Sequence, residues 1–163
     1  MSYSAFSGFE LVATGTLAQV YVLASQTPDC LIFDRDSGRP VDIDPRFPPQ
    51  DEGVRPGRPK LGVIPREITL LPRHWDWLAT QPGGASVALR KLVEAASRDP
   101  KSRQRQRRDA AYRLATALVG NAPGYEEAIR ALYAGAAEDF AAHIEAWPAD
   151  VRRVLEEMTA DAF

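Results

Sequence analysis

Arg66-Glu67-Ile68-Thr69-Leu70-Leu71-Pro72, then Arg73-His74-Trp75-Asp76-Trp77-Leu78, then Gly83-Gly84-Ala85-Ser86-Val87-Ala88-Leu89-Arg90-Lys91-Leu92-Val93, is the stretch on which the organisation of this chain turns. Arg66–Leu71 reads as a strand, and Pro72 ends it because proline has no backbone donor for a ladder. In a strand Ile68 and Leu70 share one face, while Glu67, Thr69 and Leu71 share the other. Arg73–Gln81 reads as a short helix with Trp75 and Leu78 three apart on one side. Pro82-Gly83-Gly84 breaks it. Ser86 is the expected N-cap of a second helix, Val87 to about Ser97, with Leu89, Leu92, Val93 and Ala96 as its apolar stripe. Pro100 closes the unit, which spans residues 66–99.

Outward from this unit the composition changes. Residues 45–65 hold Pro45, Pro48, Pro49, Pro56, Pro59 and Pro65 with three glycines, and read as an extended Pro/Gly-rich linker. Residues 1–44 read as a small α+β unit. Tyr3–Phe6 and Phe9–Ala13 form a hairpin around Ser7-Gly8, and Thr16 caps a helix with Leu17, Val20, Tyr21 and Ala24 on one face. Cys30–Phe33 is a buried strand, and Pro40–Ile43 returns beside it after the turn Asp36-Ser37-Gly38. Residues 100–163 read as helical: Lys101–Val119 stopping at Gly120, Tyr125–Ala134, Ala137–Ala146, and a last helix opened by Pro148. The expected class is α+β: a strand-strand-helix-strand-strand unit, a linker, a central strand-helix-helix unit and a helical C-terminal region.

Charge is sorted along the same lines. Arg55–Arg113 carries fourteen Lys/Arg and five Asp/Glu, whereas residues 1–54 carry three and eight, and residues 114–163 three and nine. A net charge of −2 thus hides a basic centre between acidic ends. A basic segment can displace counterions from a polyanion, which acidic ends would repel. Any such face is therefore built from the middle of the chain.

Three segments there carry the chemistry. The strand-helix-helix pattern resembles one half of a ribbon-helix-helix unit. In that family the strands of two chains pair antiparallel and enter the major groove, and the start of the second helix holds a phosphate. The resemblance implies that Thr69 faces bases, that Ser86 and Val87 anchor a phosphate, and that Arg66 sits on the ribbon. Glu67 and Leu71 on the same face do not suit phosphate or base contact, so a purely structural unit is the other use of the segment. Upstream, Arg55-Pro-Gly57-Arg58-Pro59-Lys60 resembles an AT-hook, in which Arg58 and Lys60 would lie in a minor groove; a plain linker is the alternative. Downstream, Arg103, Arg105, Arg107 and Arg108 wrap a helix, which suits non-specific phosphate contact or simply a solvated helix start.

Signals for other classes are missing. His74 and His143 are the only histidines, and no metalloprotease, phosphate-loop, nucleophile-elbow or dinucleotide motif is present. The expectation is a non-enzyme with no cofactor and no metal. Cys30 is the single cysteine, which excludes an internal disulfide. No apolar run approaches the roughly 20 residues that cross a bilayer, and the start lacks a secretory signal, so the cytoplasm is expected. Asp34, Asp36, Asp42 and Asp44 cluster across the expected hairpin, a set that could chelate a cation, but Asp36-Ser37-Gly38 is better explained as turn chemistry. Trp75 and Trp77, two apart, cannot both face one helix's core, so one lines an interface.

Gly57-Arg-Pro-Lys-Leu-Gly62, Glu67-Ile-Thr-Leu-Leu-Pro-Arg-His-Trp-Asp-Trp-Leu78, Gln81-Pro-Gly-Gly-Ala-Ser-Val-Ala-Leu-Arg-Lys-Leu-Val93, Pro123-Gly-Tyr-Glu-Glu-Ala and Ala146-Trp-Pro-Ala-Asp-Val151 together resemble the uncharacterised bacterial domain-of-unknown-function family 2239. That resemblance runs nearly the whole length and brings no activity or site with it. The expected function is double-stranded DNA binding by a homodimer, in the role of a transcriptional regulator, with the acidic C-terminal helices open to a protein partner. A protein-interaction or structural module without nucleic-acid binding is the alternative.

Overall fold

Ser7 and Gly8 turn the chain back on itself within its first ten residues. The structure, a computed structural model, describes residues 2–44, 46, 48–49, 62 and 64–163. Strands β1 (Tyr3–Ser7) and β2 (Glu10–Gly15) pair antiparallel about Gly8, whose φ of +58° suits a residue without a Cβ. The second strand starts one residue later than expected because Phe9 belongs to the turn, where it is half exposed. Thr16 closes a capping box on α1 (Leu17–Ala24). Its hydroxyl accepts from the Gln19 N–H at 3.4 Å, and the Gln19 side chain accepts from the Thr16 N–H at 2.9 Å.

Strands β3 (Cys30–Asp34) and β4 (Pro40–Val41) complete an antiparallel sheet of order β2-β1-β3-β4. The fourth strand does not reach Ile43. The chain turns instead: the Asp44 carboxylate accepts from the Arg46 backbone N–H at 2.9 Å and pairs with its guanidinium at 2.8 Å.

Period-two alternation gives the sheet two apolar faces. Ala5 and Ile32 pack with Val20 and Ala24 of α1 on one side. Phe6 and Phe33 face the other, where they meet edge-on at 6.3 Å. That side is covered by the apolar stripes of α4 (Pro100–Val119), α5 (Tyr125–Ala134), α6 (Ala137–Ile144) and α7 (Ala149–Thr159), through Ala111, Leu114, Leu132, Ile144 and Leu155 among others. The turn between β3 and β4 lies so close to α4 that a Cβ on Gly38 would stand 2.0 Å from the Ala110 carbonyl oxygen. The Asp150 carboxylate at the start of α7 accepts from the Leu11 N–H at 2.9 Å, which pins edge strand β2. Acidic residues open these helices, Glu126 and Glu127 in α5 and Glu138 and Asp139 in α6, where they oppose the positive dipole end.

Two compact units divide the chain: Met1–Asp51 with Arg103–Phe163, and Glu52–Ser102. The sheet and the helical layer belong to the first. The second contains α2 (Pro72–Ala79) and α3 (Gly84–Arg98).

Arg66–Leu71, expected to pair with a second chain, is paired with no described segment of its own, and all but Leu70 are exposed. One expectation for this second unit is corrected. Ser86 is not an N-cap: it is the third residue of α3, which starts at Gly84 behind Gly83 at φ +85°. The Gly83-Gly84 pair supplies the left-handed corner, so the helix begins before Ser86 is reached. Only Leu78 and Ala88 are buried among this unit's described apolar side chains. Most of the 45–65 linker, with Arg58 and Lys60, lies outside the described residues.

Candidate nucleic-acid interface

The basic half of α4 is a continuous helix because nothing in Pro100–Arg113 breaks it, and the Asp99 carboxylate caps its start by accepting from the Ser102 N–H at 2.9 Å. Lys101, Arg103 and Arg105 are exposed, and Arg107 is partly so. None of the four forms an ion pair with a described carboxylate, whereas Arg98 one turn earlier pairs with Glu94 at 3.3 Å. Arg103 and Arg107 stand one turn apart on the same side.

Arg108, expected on phosphate with the others, also holds the chain's own backbone. Its Nε donates to the Ala162 carbonyl at 2.7 Å and its Nη1 to the Tyr133 carbonyl at 3.4 Å. Gln104, one turn earlier, donates from Nε2 to the Phe163 carbonyl at 2.8 Å. These two side chains tie the C-terminus to α4. The helix thus has a structural edge at Gln104 and Arg108, and a cationic surface at Lys101, Arg103, Arg105 and Arg107 that no described carboxylate pairs.

In the second unit, Arg66 and Thr69 are exposed on the stretch before α2, and Leu71 enters that helix extended, with φ −67° and ψ 150°. Ser86 is exposed and Val87 partly buried. With α3 beginning at Gly84, Val87 stands where the first intrahelical bond forms, so the free amides of this helix start lie at Ala85 and Ser86. Arg66 and Thr69 are thereby placed in one segment, Ser86 and Val87 in one helical turn, and the arginines of α4 in the other unit.

A cleft that sequence reasoning did not find lies at the C-terminal end of α4. It encloses about 550 Å³, with Phe9, Thr116, Gly120, Tyr125 and Trp147 in its wall. The Thr116 hydroxyl donates to the Tyr112 carbonyl at 2.7 Å, so the Tyr125 hydroxyl donates to Thr116 at 2.6 Å. The Trp147 indole N–H is spent on the Pro123 carbonyl at 3.0 Å, and its ring stacks on Tyr125 at 6.2 Å. The Gly120–Pro123 sequence hints at a corner but carries no signal for this pairing.

The remaining titratable groups have structural explanations. Burial pushes the Cys30 thiol up, away from thiolate chemistry. Tyr133 is pushed up to about 12, first by burial and then by its hydrogen bond to Asp109. Asp34 accepts from the Asp36 N–H and the Ser37 hydroxyl, as a turn carboxylate does. The Asp150 carboxyl is held below the usual carboxylate range by the Leu11 amide and by Arg153. No group of three metal-ligating side chains gathers among the described residues, and none of the described helices is long and apolar enough to cross a membrane.

Searches of curated proteins and of solved structures returned no match. Residues 2–159 match the family described as "Uncharacterized protein conserved in bacteria (DUF2239)", and the chain belongs to that family.

Proposed function

We propose that this protein binds double-stranded nucleic acid through its basic middle, as a homodimer in the bacterial cytoplasm, where regulation of transcription is the role such binding fits. The observation that carries the proposal is the cationic surface of α4. Lys101, Arg103, Arg105 and Arg107 project from one helix without a carboxylate partner among the described residues. Cations kept unpaired on a rigid element release counterions when they meet phosphate. Residues 66–71, exposed but for Leu70 and without a ladder to any described segment of their own chain, offer the backbone groups a two-chain ribbon needs. On that ribbon Thr69 would read base edges and Arg66 would meet the backbone, while Ser86 at the start of α3 would hold a phosphate.

The test is a duplex titration over a range of salt. Arg103→Gln with Arg107→Gln removes two cations per chain, four per dimer, and should flatten the slope of log affinity against log salt by roughly 3 to 4. Replacing Thr69 by Ala should instead relax sequence preference at one position and leave the slope alone. A wild-type protein that retards no duplex at low salt removes the proposal.

A second reading has an observation of its own. Trp75, Trp77, Leu92 and Val93 are 41% to 66% exposed, which is the composition of a protein-binding surface. A protein-interaction module without nucleic acid is therefore the competing function. It predicts that the glutamine substitutions change nothing.

A further inference from the structure

The cleft at the C-terminal end of α4 has a chemical character that nucleic-acid binding does not use. It lies within the first unit, between the β1–β2 turn, the last turn of α4 and the loops before α5 and α7. Its volume of about 550 Å³ falls in the range of small-molecule sites, roughly 300 to 1,000 Å³. No residue of its wall carries a charge. Its polar side chains have also spent their protons. The Thr116 hydroxyl donates to the Tyr112 carbonyl, the Tyr125 hydroxyl to Thr116, and the Trp147 indole to the Pro123 carbonyl. Asn121, which is exposed, is the one side-chain donor left in the wall. An anion entering there finds little to offset the loss of its water.

We propose that this cleft binds a small alkylammonium cation. Three observations set the sign of the ligand's charge. The last turn of α4 forms part of the wall and holds no basic residue, so the negative end of a 20-residue helix stands there without a cation of its own. Glu10, Glu126 and Glu145 are exposed and each adjoins a wall residue in sequence, whereas no Lys or Arg does. Arg152, which donates to the Glu145 carbonyl at 2.7 Å, is paired with Glu156 at 3.8 Å. Aromatic rings supply the contact. Phe9 is 52% exposed in the wall and enters none of the described ring pairs. Tyr125 is partly buried and is backed by Trp147, 4% exposed, in a stack tilted by 20°. Rings beside a negative helix end attract an ammonium group, whose methyl groups also suit an apolar wall. The site is independent of the nucleic-acid reading.

The experiment titrates the full chain, at constant ionic strength, with choline, with neohexyl alcohol and with acetate. Neohexyl alcohol has the shape of choline with carbon in place of the cationic nitrogen. Calorimetry gives the affinities, and the backbone amide resonances of Gly120, Asn121 and Ala122 place the binding. Choline should bind at least roughly 10-fold more tightly than neohexyl alcohol, and acetate should leave these resonances unmoved. Phe9→Leu keeps apolar bulk at a half-exposed position and should weaken choline roughly 2- to 5-fold while leaving neohexyl alcohol unchanged. Ala117 is exposed in the wall, so charge can be added there without disturbing the core. Ala117→Lys should weaken choline roughly 3-fold and Ala117→Glu should strengthen it by a similar factor. Equal binding of choline and its neutral isostere, acetate binding in the cleft, or no shift at the three amides overturns the proposal. A trimethyl-lysine peptide that binds more tightly than choline overturns the small-molecule assignment in favour of a protein partner. The Arg103→Gln/Arg107→Gln variant should bind choline as the wild type does, so loss of duplex binding and loss of this site are read separately.

Discussion

Arg108→Gln separates the two jobs that arginines do on α4. The wild-type guanidinium donates to the Ala162 carbonyl at 2.7 Å and, more weakly, to the Tyr133 carbonyl at 3.4 Å. Glutamine is too short and lacks the fork, so one good charge-assisted bond and one marginal bond are lost. A charged donor contributes about 1.5 to 3 kcal/mol at a buried site. This one is only partly buried, so about 1 to 2 kcal/mol is expected. At roughly 2 to 4 °C per kcal/mol for a chain of this size, Tm should fall by roughly 2 to 8 °C. Arg103→Gln removes a side chain with no described partner and should move Tm by less than about 0.5 kcal/mol allows. Thermal unfolding followed by far-ultraviolet circular dichroism reads both variants, and duplex titration should rank them in the opposite order. If Arg108→Gln melts with the wild type while weakening duplex binding as strongly as Arg103→Gln, the division of α4 into a structural edge and a free surface is wrong.

Other substitutions test the scaffold. Gly38→Ala drives a Cβ into the Ala110 carbonyl and forces φ +67° on a residue that resists it. It should cost about 2 to 4 kcal/mol in a denaturant melt. Gly8→Ala, where nothing stands within 4 Å, should show only the smaller backbone strain; equal costs would mean that the close approach at Gly38 is not real. The Ser4 hydroxyl is fully buried with no partner among the described residues, so Ser4→Ala should be neutral or stabilising by up to about 1 kcal/mol, and a clear loss of stability would reveal a partner. The Asp150 carboxyl titrates below the ordinary range in the folded protein because it accepts from the Leu11 amide and pairs with Arg153. Its contribution is therefore complete above the unfolded value near about 4 and is lost as pH falls through the lower folded value. Asp150→Asn should flatten the acid limb of Tm against pH; an unchanged acid limb contradicts that linkage.

How much of this was legible depended on whether the deciding contact was local. Thr16 stands directly before an apolar-periodic run, so its capping role could be read, and its partner Gln19 lies only three residues on. The apolar periods of residues 125–134 and the glycine after them bounded α5 correctly. Asp34, Asp36 and Ser37 form their turn within four residues. Arg108 could not be told from Arg103, because its acceptors lie 54 and 25 residues away, and a run of like charges carries no mark of which member turns inward. Ser86 was misplaced by a competition between two local signals, since Gly83-Gly84 begins the helix before the serine. The 66–71 segment has a strand's composition but finds no partner among the described residues of its own chain, which pattern alone cannot reveal. The pairing of Tyr125 with Trp147 was hidden because it joins the first residue of α5 to the loop before α7, 22 positions away.

The central claim is that the exposed cations of α4 meet phosphate, and titrating a mixed-sequence duplex with the full chain across a salt series tests it most directly. Lys101, Arg103, Arg105 and Arg107 in two chains set a slope of log affinity against log salt no steeper than about −7 from these residues. The account predicts a steep dependence near that bound, with the Arg103→Gln/Arg107→Gln variant roughly half as steep. Absence of duplex retardation at low salt, or an affinity indifferent to salt, would contradict it.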